Sequence, residues 1–155
     1  MRPRIGLKHQ IQRRQKCVGP LLTNALNGFD MGAESPRDYD REYTKPLSDS
    51  LRVRIGFSHS RGKVIRFVVQ LEYRLESSWR EVVRYDHDPV SDFGHDVTEE
   101  GLHIDIYRDG EKARSEYVAP PMPADLALDR AEDHLSKNLE GFVKRFESWH
   151  GINSR

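Results

Sequence analysis

From Leu51 onward the chain alternates. Leu51, Val53, Ile55 and Phe57 are apolar, and Arg52, Arg54 and Gly56 stand between them. That period of two belongs to a strand with one buried face. A polar stretch with Ser60 and Gly62 follows and reads as a turn. Ile65, Phe67, Val69, Leu71, Tyr73 and Leu75 then point one way, against Arg66, Gln70, Glu72 and Arg74. After a hairpin-sized gap at Glu76, Ser77 and Ser78, Trp79 to Tyr85 reads as a third strand, with Val82 and Val83 breaking the alternation. Leu102, Ile104 and Ile106 alternate with His103, Asp105 and Tyr107. Asp109-Gly110 is a favoured tight-turn pair, and Lys112 to Val118 returns as a fifth strand.

The period changes after Pro120, Pro121 and Pro123. Leu128, Ala131, Leu135, Leu139, Phe142, Phe146 and Trp149 step by three or four and form one apolar stripe. Pro123 and Asp125 suit a helix start and Gly151 suits its stop. His134 and His150 fall on the flanks, where solvent-facing positions are expected. The fold class expected is α+β: an antiparallel sheet of about five strands packed against one long C-terminal helix, because each element offers one apolar face that the other can cover.

Residues 1–50 show no sustained period and hold Pro3, Pro20, Pro36 and Pro46. They are expected to be a disordered or poorly ordered tail, with a single domain over 51–155. Charge sharpens that division. The chain has 25 basic and 25 acidic residues, yet residues 1–30 hold six basic groups and only Asp30 as an acid. Met31, at the charge break, is an alternative start. The net-acidic remainder should not attract nucleic acid by bulk electrostatics. Cys17 is the single cysteine, so a disulfide framework or a cysteine-ligated zinc site within one chain is ruled out. No apolar run has membrane-spanning length, and no apolar stretch of signal-peptide length follows the basic N-terminus. A cytoplasmic protein is expected.

Candidate chemistry gathers between residues 84 and 105, where three of the seven histidines fall. His103 and Asp105 are two apart on a strand and share a face, opposite Leu102, Ile104 and Ile106. They therefore lie away from the core, or in a cleft over that side. Arg84 could hold a phosphate or carboxylate. His95 and His103 could transfer protons, and Asp105 or Asp86 could orient an imidazole. The same imidazoles and carboxylates could instead ligate a divalent metal. The plainest alternative is a solvated strand face with cross-strand pairs. Distance discriminates: histidines separated by more than roughly 10 Å cannot serve one proton-transfer site.

The stretch from Trp79 through Val83-Arg84-Tyr85-Asp86, then His95, His103-Ile104-Asp105 and Asp109-Gly110, and a closing helix with an acidic first half and aromatic residues near its end together carry a resemblance. Over Phe67 to Trp149 the chain resembles a group of small uncharacterised prokaryotic domains, a family of unknown function. It is distantly similar to the TumE-like toxin components of toxin–antitoxin pairs. The resemblance implies a small partner-dependent protein, with an antitoxin-like protein and RNA as expected partners. The function expected is a toxin-like component acting on RNA by general acid–base chemistry at Arg84, Asp86, His95, His103 and Asp105. The alternative is a non-enzymatic module that binds a protein or a metal. No cofactor is expected, and a divalent metal is left open.

Overall fold

The structure, a computed structural model, describes residues 38–152. The expected tail up to residue 37, with Cys17 and Met31, lies outside the described residues. Six strands form one antiparallel sheet in chain order: β1 (Arg41–Pro46), β2 (Leu51–Ser60), β3 (Lys63–Leu75), β4 (Ser78–His87), β5 (Leu102–Arg108) and β6 (Glu111–Ala119). The helix α1 (Ala124–Trp149) packs on β3, β4 and β5. This is the α+β architecture expected, with one more strand. The added strand is β1, placed by residues assigned to the tail. Its segment carries no apolar alternation, and five of its six residues are exposed. Its pairing along β2, from Arg41 opposite Phe57 to Pro46 opposite Arg52, forms it instead.

Local chemistry explains the meander. Three hairpins turn through two residues that are both left-handed: Arg61-Gly62, Glu76-Ser77 and Asp109-Gly110. Such turns match the twist of the flanking strands. A bulge between Leu71 and Glu72 sets Leu71 against Val83 and Glu72 against Glu81, leaving Val82 as the extra residue. That is why Val82 and Val83 are both buried despite their adjacency.

One sheet face meets the helix. Ile55, Val69 and Tyr85 stand side by side across β2, β3 and β4, as do Val53, Leu71 and Val83, which Ile106 continues on β5. All are at most 1 % exposed. From the helix come Ala127, Leu128, Ala131, Leu135, Phe142 and Phe146. Asp125, in the first turn, accepts the Val64 N–H at 3.0 Å and ties the helix start to β3. The stop is a Schellman arrangement: Gly151 is left-handed, its N–H reaches the Ser148 carbonyl, and the Ile152 N–H reaches that of Glu147.

Two histidines differ from expectation. His134 is half-buried, with its Nδ1 2.7 Å from the Tyr85 hydroxyl. A buried tyrosine needs a partner for its polar tip, and the helix flank supplies it. His150 is half-buried too, stacked on Phe146 with ring centroids 4.0 Å apart. Among the described residues no helix is long and apolar enough to cross a membrane.

Leu135 is 1 % exposed at the middle of the helix–sheet contact. Leu135→Ala should lower the unfolding free energy by about 2–5 kcal/mol. Urea denaturation checks this, with a lowered midpoint and an unchanged slope as the expected outcome.

Candidate functional site

The face opposite the helix is polar but not bare. A transverse row crosses all six strands in register: Thr44, Arg54, Gln70, Arg84, Asp105 and Ser115. Gln70 and Asp105 are 3 % exposed, and the neighbouring Asp86 is 6 % exposed. A solvated strand face would not bury such groups, so something covers them. One cover is Tyr39. Its ring lies where a side chain on Gly56 would be, with a Cβ there only 2.7 Å from Cδ2. The Arg66 guanidinium sits 4.0 Å over the same ring. The other cover is the loop at 88–101.

That loop is fastened at several points. The His95 N–H donates to the Asp86 carboxylate at 3.3 Å, and the Asp88 N–H donates to the His95 carbonyl at 2.9 Å. Val97, fully buried, donates its N–H to His87 Nδ1 at 3.1 Å. Gly94 allows the close approach, since a Cβ there would meet the Asp88 carbonyl oxygen at 2.4 Å. The fastenings deliver His95 over the start of β5.

The five candidate residues share this face. His95 Nε2 is 3.4 Å from Asp105 and its Nδ1 is 3.2 Å from Glu100. The His95 and His103 rings lie 5.4 Å apart, inside the limit for a single proton-transfer site. His103 Nδ1 donates to the Gly101 carbonyl at 3.2 Å, which leaves the lone pair of the neutral ring on Nε2. Gly101 is left-handed, and a Cβ there would strike the Ala119 carbonyl oxygen at 2.4 Å. Arg84 is half-buried opposite Asp105 on the neighbouring strand. It faces Asp86, Tyr107, Tyr39 and Glu81 electrostatically, and among the described residues no carboxylate reaches it at ion-pair distance.

Sequence reasoning missed several participants. Ser115 donates to the Asp105 carboxylate, and Lys112 Nζ lies 3.1 Å from it. Tyr117, on β6, meets His103 edge-on at 5.7 Å and is 63 % exposed. Glu100 and Tyr39 come from irregular segments that no periodicity marks.

Charge states follow from these contacts. Burial alone would raise Asp105, but hydrogen bonds from His95, Ser115 and Lys112 outweigh it and hold the carboxyl well below the usual range. The bond to Asp105, aided by Glu100 against the effect of burial, lifts His95 to about 9. Burial raises Asp86, opposed by Arg84 and His95. Neighbouring carboxylates are thus pushed in opposite directions. Three-donor sets for a cation also occur: His95 with Glu100 and His103, and His95 with Asp86 and Asp105.

The fold and this polar face define a small α+β domain with a cluster of histidines and carboxylates on the side of its sheet away from the helix. The chain belongs to the family described as the domain of unknown function DUF7718, which matches residues 36–152. No curated protein and no solved structure matches the chain.

His95 makes stability depend on pH in a defined direction. Its pKa is raised in the folded state, from 6.5 to about 9, so its stabilising effect is complete below about 6.5 and is lost as pH rises through about 9. Urea midpoints should fall over that window. His95→Gln, which cannot titrate, should flatten the decline; an undiminished decline would place its origin elsewhere.

Proposed function

We propose that the open face is an acid–base site acting on the phosphodiester bonds of RNA, the chemistry of a toxin-like component working in the cytoplasm under an antitoxin-like partner. The observation that carries this reading is the histidine pair. The two rings are 5.4 Å apart and hold opposite hydrogen-bonding roles. His95 presents N–H groups to carboxylates on both sides. His103, with Nδ1–H committed to Gly101, keeps its Nε2 lone pair for a proton.

RNA needs no external nucleophile. His103 takes the proton of the 2′-hydroxyl, O2′ attacks phosphorus, and the P–O5′ bond breaks. His95 gives its proton to O5′, so the products are a 2′,3′-cyclic phosphate and a 5′-hydroxyl, and one proton has passed from acid to leaving group while the base has gained one. Arg84, which has no ion-pair partner among the described residues, would meet the charge that grows on the phosphoryl oxygens. Asp105 orients His95 and stabilises its charged form. Tyr117 offers an exposed ring beside His103 on which a base can stack.

A second reading, a protein-interaction module without catalysis, has one observation in its favour. Phe93 and Val90 are 92 % and 79 % exposed on the loop that carries His95. Under the first reading the same residues would meet the partner that blocks the site.

The test is cleavage of an end-labelled oligoribonucleotide in buffer with chelator. Cleavage should yield a cyclic phosphate, and a 2′-deoxy linkage should resist. His103→Ala and Arg84→Ala should each slow the reaction about 100-fold or more, with melting behaviour close to that of the parent. A parent protein that leaves RNA intact, or a fully active His103→Ala, would sink the enzymatic reading.

A further inference from the structure

We infer that His95, Glu100 and His103 form a binding site for a first-row divalent transition cation of the zinc class. One donor atom from each residue lies within 4.8 Å of the others. Ligands held at ~2.1 Å around a tetrahedral zinc stand about 3.4 Å apart. His95 Nδ1 and Glu100 are already 3.2 Å apart. The other donor separations are no more than 4.8 Å, so each would close by at most about 1.4 Å to reach the tetrahedral spacing.

What distinguishes this cluster from a chance meeting of polar groups is its outer layer. Metal-bound histidines commonly donate the second ring N–H to a carboxylate or a backbone carbonyl, which fixes tautomer and ring orientation. Both arrangements are present. His95 reaches Asp105 through Nε2, so a cation would take Nδ1 by displacing the proton it shares with Glu100. His103 donates Nδ1–H to the Gly101 carbonyl, which leaves Nε2. Gly101 holds that carbonyl in place through a left-handed backbone that a side chain could not adopt without striking Ala119.

The neighbouring donor set of Asp86, His95 and Asp105 is the poorer one. The Asp105 oxygens are occupied by Ser115 and by Lys112, whose ammonium group would repel a cation. Asp86 already accepts the His95 N–H and faces Arg84. Two imidazoles and one carboxylate suit zinc, cobalt or nickel rather than magnesium or calcium, which prefer oxygen. Three protein ligands leave a position open for water or an anion.

One consequence rests on the acid–base reading above. The cation would occupy the nitrogens that proton transfer uses, so zinc should inhibit RNA cleavage rather than support it.

Binding is tested directly on the full chain, by calorimetry with zinc and by visible absorption with cobalt. The expected result is one saturable site per chain. Glu100→Gln and His103→Ala should each weaken it at least about tenfold, and Asp105→Asn about 10–100-fold through the outer layer. His59→Ala, an exposed histidine elsewhere on the sheet, should leave it unchanged, and circular dichroism should show each variant folded. Absence of saturable zinc binding, or affinity unaffected by Glu100→Gln and His103→Ala, would overturn the inference. Zinc binding by a protein that cuts no RNA would leave the metal site standing and remove the acid–base reading. Zinc binding without inhibition of cleavage would overturn the shared use of the two nitrogens.

Discussion

The carboxylate of Asp105 is buried on a sheet face over which the described residues place no hydrophobic layer, and that side of the sheet is organised by this constraint. An ionised carboxylate taken out of water is costly unless it is paired and hydrogen-bonded. Here three groups meet it: the Ser115 hydroxyl, the Lys112 ammonium and the His95 imidazole. Two come from the adjacent strand and are placed by the β5–β6 hairpin. The third comes from the loop between β4 and β5, so the same contact that stabilises the charge fixes the loop. Asp105 therefore couples strand register, loop position and the protonation of His95. Pairs of this kind are strongly destabilising to break from one side, because the surviving charge stays buried.

Among the described residues, a meander of six strands with a single helix leaves half of its sheet without a second layer. The helix face is closed in the ordinary way by apolar packing. The open face is closed by parts too small to show as a layer: the Tyr39 ring over Gly56, a cation–π contact from Arg66, and a loop pinned by backbone hydrogen bonds. Such a roof is partial by construction, since loops keep their polar backbone near water. It buries Asp86 and Asp105 while leaving Tyr117 and Glu100 open. The result is a set of titratable groups with low hydration beside an accessible rim, the setting in which proton transfer and cation binding are both chemically available.

The legible parts of this fold were those governed by repetition. Period-two runs marked three strands, the hairpin gaps marked two more at Trp79–Tyr85 and Lys112–Val118, and a stripe of three and four marked the helix down to its stop at Gly151. The strand β1 was illegible because its residues, Arg41 to Pro46, are mostly exposed and lean on β2 for their form. Within the site, His103 and Asp105 could be assigned a face by alternation, and they occupy it. Lys112 and Ser115 carried a weaker signal. The tight turn at Asp109-Gly110 pairs Tyr107 with Lys112, but an irregularity between Ile106 and Tyr107 then shifts the count so that Asp105 meets Ser115. Glu100 and Tyr39 left no signal, since only the three-dimensional course of irregular chain brings them in.

Arg84 carries the strongest argument that this face is more than a well-satisfied surface. Arg52, Arg54 and Arg66 lie on the same side of the sheet, and each has a carboxylate partner, in Glu72, Glu42 and Asp88. Arg84 sits at the centre of the transverse row, half-buried, with Asp86 near enough to favour its charge but no ion pair among the described residues. Beside it on β3, the Gln70 side-chain oxygen is buried without a hydrogen-bond partner among the described residues, its amide nitrogen being committed to Glu72. Stability alone would favour filling the gap at Gln70, because an unsatisfied buried polar group costs about 1–3 kcal/mol. Violations of local satisfaction concentrate where a protein does its work. On the proposed reading, the Arg84 guanidinium, opposite Asp105 and through it beside His95, would be the group that meets an anionic phosphodiester.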